Sequence, residues 1–230
     1  MKIHGLQKMT LLDFPGRVAC TVFTGACDFR CPFCHNFELV DGSASALMEE
    51  EELLAFLKKR QGLLDGVAVT GGEPCLHRGL PDLLSRIRDL GYAIKLDTNG
   101  NHPEVLGQIL DRGLADYVAM DIKNRPDKYA ATIGLPSFDL TGIRESISLL
   151  TEGPADYEFR TTVVREFHEA EDFEEIGSMI RGAKAYFLQC FTDRDTVPRG
   201  DLHAPSKKEL ETYAAIVSKY VEKVSIRGVD

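Results

Sequence analysis

The chain has 230 residues, 43% of them apolar, with six cysteines and no tryptophan. That length suits one substantial domain, here 1–230, with its own core, and no apolar stretch approaches what is needed to cross a bilayer. A formal net charge of −9 disfavours general nucleic-acid affinity, because phosphates reward clustered Lys and Arg. The opening Met1-Lys2-Ile3-His4 lacks a basic segment followed by an apolar signal core, so a cytoplasmic, reducing setting is expected and disulfides are not.

Short β-rich runs alternate with amphipathic helical patterns, the signature of parallel βαβ construction. The first strand, 17–23, carries Cys20 within an apolar run, where a free cysteine acts as a small buried hydrophobe. It leads into Gly25-Ala26-Cys27-Asp28-Phe29-Arg30-Cys31-Pro32-Phe33-Cys34-His35-Asn36. Pro32 and Gly25 disfavour an unbroken helix there. A cubane [4Fe–4S] cluster is normally held by four thiolates, so this C-x₃-C-x₂-C triplet, with no fourth cysteine nearby, leaves one iron open to another ligand. Structural zinc is the weaker alternative: Cys31, Cys34 and His35 could form part of a site, but no second C-x₂-C or H-x₃₋₅-H follows.

The acidic run Glu49-Glu50-Glu51-Glu52 marks a helix start, where carboxylates favour the positive dipole end. A second strand, 66–70, runs into Thr70-Gly71-Gly72-Glu73-Pro74, whose glycines permit positive φ and can bring backbone close to a ligand, or simply turn the chain. A helical face of Leu80, Leu83, Leu84, Ile87 and Leu90 precedes the third strand, 92–97, which ends in Asp97-Thr98-Asn99-Gly100. Val105, Leu106, Ile109 and Leu110 form the next helical face, and the fourth strand, 116–122, brings Asp121 and Lys123 to one side as an ion pair or as binding groups. After a helix carrying Ile143, Ile147 and Leu150 come a strand at 157–164 with Arg160-Thr161-Thr162, an acidic helix start from Glu169 to Glu175, and a strand at 185–189 ending in Gln189-Cys190-Phe191-Thr192. The last helix opens with the capping box Ser206-Lys207-Lys208-Glu209 and is expected to carry Leu210, Tyr213, Val217, Tyr220 and Val221 on one side. Six βα units are too few for a closed eightfold barrel, so the expected fold is α/β, a partial (β/α)6 barrel, with a doubly wound sheet as the alternative. Either fold gathers its active residues at the carboxyl ends of the strands.

Several segments together resemble a known family. Cys27-x₃-Cys31-x₂-Cys34, with Phe33 before the last cysteine, is similar to the cluster motif of radical S-adenosylmethionine (SAM) enzymes, and Gly71-Gly72-Glu73-Pro74 to their GGEP turn. Within that superfamily, Leu11-Leu12-Asp13-Phe14-Pro15-Gly16, Cys34-His35-Asn36, Asp97-Thr98-Asn99-Gly100, Asp121-Ile122-Lys123 and Ile226-Arg227-Gly228 resemble glycyl-radical-activating enzymes. The nearest likeness is to the short activating proteins of anaerobic ribonucleoside-triphosphate reductase, with pyruvate formate-lyase activating enzymes as relatives.

The resemblance implies an oxidoreductase of the radical SAM fold. Cys27, Cys31 and Cys34 would hold a [4Fe–4S] cluster, with SAM chelating the open iron through its amino and carboxylate groups. Reductive cleavage would give methionine and a 5′-deoxyadenosyl radical, which takes hydrogen from a glycine of a partner glycyl radical enzyme, with anaerobic ribonucleotide reductase the first expectation. No catalytic side chain beyond the cofactors is implied. Gly71, Gly72 and Glu73 would meet the methionyl amino group, with Asp97, Asn99, Asp121, Lys123 and Arg160 as further cofactor contacts. A flavodoxin or ferredoxin-type protein would supply electrons. The pyruvate formate-lyase relatives imply a sodium or potassium ion at Asp97 and Asp121, with backbone oxygens of Thr98 and Ala119; facing carboxylates repel unless protonated or bridged by a cation. His35 and Asn36 would steady the loop by hydrogen bonds, and neither Cys75 nor Cys190 is needed as a fourth ligand. The alternatives are a radical SAM enzyme acting on a pterin-like or nucleoside precursor, such as a 7-carboxy-7-deazaguanine synthase, and a non-catalytic zinc or iron–sulfur module.

Overall fold

The computed structural model describes residues 1–229. In chain order the elements are β1 (Lys2–Thr10), β2 (Ala19–Thr24), α1 (Phe37–Asp41), β3 (Met48–Glu49), α2 (Glu50–Lys58), β4 (Gly66–Gly71), α3 (Leu80–Asp89), β5 (Ala93–Thr98) and α4 (Pro103–Asp111). They continue with β6 (Tyr117–Asp121), α5 (Pro126–Thr132), α6 (Thr141–Glu152), β7 (Asp156–Val163), α7 (Ala170–Met179), β8 (Tyr186–Cys190), α8 (Lys207–Val217) and β9 (Val224–Arg227). Among the described residues these strands form one sheet in the order β3-β1-β2-β4-β5-β6-β7-β8-β9. Pairing is parallel from β2 through β9, while β1 lies antiparallel to both β2 and β3. The sheet does not close, so the expected open α/β architecture is the one adopted.

All six expected strands are present as β2, β4, β5, β6, β7 and β8. The side chains explain why these runs pair in parallel. Val67, Val69, Ile94, Leu96, Val118 and Met120 are fully buried and join one apolar core, as a strand covered by helices requires. Their alternate neighbours Asp97, Asp121, Arg160 and Thr162 face a cavity at the carboxyl ends instead. Register aligns them: Asp97 pairs with Ala119, Asp121 with Arg160, and Thr162 with Gln189.

Both acidic runs begin helices. Glu49 with Glu52 forms a capping box on α2, and Glu169 with Asp172 forms one on α7; Ser206 with Glu209 does the same for α8. The last helix is shorter than its pattern predicted. It stops at Val217, leaving Tyr220 and Val221 outside, because the chain must turn there: Gly182 N donates to Tyr220 O at 2.8 Å and Glu222 N to Ala183 O at 2.9 Å, aiming the backbone into β9.

The amino end of the sheet has a floor. Phe14, in the turn between β1 and β2, is 3% exposed, and its ring lies so near Gly66 that a Cβ there would come within 2.9 Å of it. The same ring stands 6.5 Å from that of Tyr117, the first residue of β6. Asp13 beside it accepts the Thr21 hydroxyl at 2.5 Å. No helix among the described residues is long and apolar enough to cross a membrane.

Candidate cluster and cofactor site

The loop leaving β2 holds the three cysteines in an irregular path pinned from several directions. Ala26 N donates to Leu39 O at 2.8 Å, Arg30 N to Ile133 O at 2.9 Å, and Arg199 N to Pro32 O at 3.2 Å. Cys34 N closes a turn on Cys31 O at 3.1 Å. His35 Nε2 lies 2.7 Å from Thr192 O, its ring stacks on Phe191, and Asn36 Nδ2 donates to Gly71 O at 3.5 Å. His35 and Asn36 therefore tie the loop to the ends of β8 and β4, the steadying role expected of them.

The glycines at the end of β4 let another part of the chain come close. A Cβ on Gly71, whose φ is +125°, would lie 2.3 Å from the Thr24 backbone, and one on Gly72 would lie 1.9 Å from Ala26 O. The close approach they permit is that of the cysteine loop itself, sealed by Gly72 N donating to Thr24 O at 2.9 Å and Glu73 N to Ala26 O at 2.8 Å. Glu73 then acts as a strut. Its carboxylate is 1% exposed and accepts from Cys75 N at 2.9 Å, the Thr98 hydroxyl at 2.7 Å and Asn99 N at 2.6 Å, lashing the β4 turn to the end of β5. Burial pushes its carboxyl up to about 7 against the pull of those donors.

Across the cavity stands a ladder of charge. Arg160 Nε lies 2.5 Å from Asp121 Oδ1 and its NH1 3.1 Å from Asp97 Oδ2, so one guanidinium bridges carboxylates from two neighbouring strands. Lys95 pairs with Asp97, and Lys123 with Asp121 at 2.7 Å. Burial alone would raise both carboxyls, but Arg160, with Lys95 at Asp97 and Lys123 at Asp121, holds them below the ordinary range. This corrects the electrostatic reason for expecting a sodium or potassium ion at Asp97 and Asp121: the cation that reconciles the two carboxylates is Arg160.

Cys27, Cys31, Cys34, Gly71, Gly72, Glu73, Asp97, Asn99, Asp121, Lys123 and Arg160 all border one cavity of about 240 Å³. Phe29, Phe33 and Val40 give it apolar patches, and Thr70, Thr162 and Gln189 complete its rim of strand ends. Cys20, Cys75 and Cys190 lie outside it; Cys20 is fully buried, Cys75 is buried beneath the β4 turn, and Cys190 Sγ faces Pro205 O at 3.8 Å. The sequence reading missed Lys95, which a strand pattern does not mark as inward-facing, and Asp28, Asn101 and His102, polar loop residues without a spacing signal.

A scan against known families matches the Radical SAM superfamily over residues 21–177, more than half of the chain. The chain belongs to the radical SAM superfamily. A Methanocaldococcus jannaschii protein provisionally named a glycyl-radical enzyme activating enzyme is 29% identical over 99% of this chain and 96% of its own length. A 7-carboxy-7-deazaguanine synthase of Thermococcus kodakarensis is 27% identical over 86% of this chain and 81% of its own. Among solved structures, a domain of the pyruvate formate-lyase-activating enzyme from Bacteroides vulgatus superposes with a TM-score of 0.56 at 20% identity, covering 71% of this chain and 99% of that one. That likeness bears on the fold.

Radical SAM enzymes use a [4Fe–4S] cluster and S-adenosylmethionine, and the donor set here fits both. Three thiols and no fourth border the cavity, the number that holds a cubane while leaving one iron open. Burial pushes Cys27 up to about 12 and Cys31 up to about 11, so iron must displace protons as it binds. An amino acid's ammonium and carboxylate would find carboxylates and cations in the ladder opposite.

Proposed function

We infer that this chain activates a glycyl radical enzyme, with anaerobic ribonucleotide reductase the first partner to test. The observation that carries the reading is likeness along the whole length, 99% of this chain and 96% of the relative provisionally named as such an activase. Bound together, cluster and SAM supply a one-electron reductive cleavage that makes hydrogen abstraction from a backbone C–H possible.

The chain's own residues supply holding, orientation and exclusion of water. Cys27, Cys31 and Cys34 hold the cluster. Lys123 and Arg160 receive a carboxylate; Asp97, Asp121 and the backbone at Gly71 and Gly72 receive an ammonium. Asn99 and Glu73 keep the cysteine loop, the β4 turn and the end of β5 in fixed relation. Phe29, Phe33 and Val40 give the cavity a drier lining. Electrons would come from a flavodoxin or ferredoxin-type donor.

Anaerobic reconstitution is expected to load about four irons per chain and to support reductive cleavage of SAM to 5′-deoxyadenosine. Adding the partner should give a glycyl radical signal in electron paramagnetic resonance, and Cys31→Ala should abolish cluster loading and cleavage alike. A second reading rests on the 7-carboxy-7-deazaguanine synthase relative, matched over 86% of this chain. Turnover of a pterin-like precursor, with no radical on the partner, would select it. Bound zinc without SAM cleavage would sink both.

A further inference from the structure

Asp28 lies inside the cysteine loop, where the proposed chemistry asks for no carboxylate, yet it is among the most firmly held side chains of the site. Its Oδ1 accepts from Asn99 Nδ2 at 2.8 Å, its Oδ2 accepts from Asn101 Nδ2 at 2.6 Å, and His102 Nε2 stands 3.2 Å from the same Oδ2. Both amide contacts are N–H donors, which is what a carboxylate accepts. All three partners sit on the loop between β5 and α4, so Asp28 fastens the cysteine loop to that neighbour.

The fastening fixes the orientation of one amide. Asn99 Oδ1 accepts from Asn101 N at 2.9 Å, and Asn99 N donates to Glu73 Oε2 at 2.6 Å. With Oδ1 engaged by a backbone N–H and Nδ2 drawn to a carboxylate, only the NH₂ edge of Asn99 can face the cysteine. Nδ2 lies 3.9 Å from Cys27 Sγ, which also accepts from Phe29 N at 3.4 Å. Donors to the cysteine sulfurs stabilise the more negative, reduced state of an iron–sulfur cluster and are one of the protein's means of setting its potential.

We propose that Asp28 is a positioning residue: its carboxylate clamps the cysteine loop to the β5–α4 loop and, through Asn99, gives the Cys27 sulfur a second N–H donor, so that it governs how tightly a cluster is kept and at what potential it is reduced. This rests on Cys27, Cys31 and Cys34 being the cluster ligands. The cysteine spacing alone supplies the ligands; the clamp decides where the first of them stands relative to the other wall of the cavity.

The test uses full-length wild type, Asp28→Asn, Asp28→Ala and Asn99→Ala, each reconstituted anaerobically. Iron content, the rate of iron loss to a chelator, the midpoint potential and the melting temperature of the apoprotein are measured. Asp28→Ala is expected to lose iron about 10–100-fold faster, the scale on which outer partners tune metal affinity, with a smaller midpoint shift than Asn99→Ala, because the carboxylate it removes also stands 3.9 Å from Cys27 Sγ and its charge opposes reduction. Asp28→Asn keeps an acceptor without the charge and should lose iron at an intermediate rate; Asn99→Ala should have the more negative midpoint with a smaller effect on iron loss. Wild-type loss rates and midpoints in Asp28→Asn and Asn99→Ala would overturn the proposal even if Asp28→Ala failed to fold. A lower apoprotein melting temperature with an unchanged midpoint would overturn it too, leaving Asp28 a merely structural tie. Wild type that takes up no iron would overturn the cluster reading itself, and this proposal with it.

Discussion

Two walls of the same cavity hold buried carboxylates in opposite ways. On the strand-end wall, Asp97 and Asp121 are balanced by the cations Lys95, Lys123 and Arg160. On the cysteine-loop side, Glu73 has no cation and depends on two backbone N–H groups and a hydroxyl. An ion pair can trade one partner for a charge on an arriving ligand with little movement of the backbone. A carboxylate held by backbone N–H groups cannot let go without loosening the loops it joins. One wall is therefore suited to receive a charged ligand, and the other to keep the shape in which it is received.

Substitutions at the two walls should separate these roles. The largest effect is expected from Arg160→Leu, which leaves Asp97 and Asp121 facing each other without their bridge; removing one partner of a buried ion pair costs about 3–5 kcal/mol. Urea denaturation at neutral pH would measure it, and part of the loss should return in acid as one carboxyl protonates and the repulsion ends. Gly72→Ala comes next, at about 3 kcal/mol for forcing a Cβ against packed backbone, because the Ala26 oxygen would lie 1.9 Å from it. Faster thiol labelling of Cys27 and Cys31 would report the displaced loop directly.

Glu73→Ala strands three donors, each costing about 1–3 kcal/mol if left buried and unpaired, less whatever water re-enters. Glu73→Gln should be milder and should also change the pH profile. Burial raises Glu73 from 4.5 to about 7 in the folded chain. Between those values the native state keeps a proton that the unfolded chain has released, so this contribution is complete below 4.5 and is lost as pH rises through about 7. Denaturation across that window should slope downward in wild type and lose that component in Glu73→Gln; an unchanged slope would refute the assignment. The smallest effect belongs far from both walls: Ser206→Ala removes the hydroxyl that caps α8 and should cost about 1 kcal/mol without altering iron content.

The sequence carried the parallel strands and the cysteine triplet plainly, because apolar runs and fixed spacings are local signals. The outlying strands were not legible: β3 has two residues and β9 four, and β1, next to β3, buries only Ile3 and Thr10, so none has an apolar run to betray it. Within the site, residue types at the strand ends were readable but their partners were not. Gly71 and Gly72 announced a close approach, and only the fold reveals that what approaches is the cysteine loop. Asp97, Asp121 and Arg160 each marked a strand end, but that the last bridges the first two follows from the register of β5, β6 and β7. Asp28 and His102, 74 positions apart in sequence, meet only because the loop after β2 reaches past β4 to the loop after β5.

The Phe14 floor has a kinetic corollary. With that ring packed between Gly66 and Tyr117, the amino end of β4 and β6 is filled by a side chain, and the cavity borders the opposite strand ends, where the cysteines stand. Under the activation proposed above, a small molecule entering at those ends would have to do so before a partner protein is seated over them. Loading would then be ordered, and an excess of partner would slow the exchange of spent cofactor.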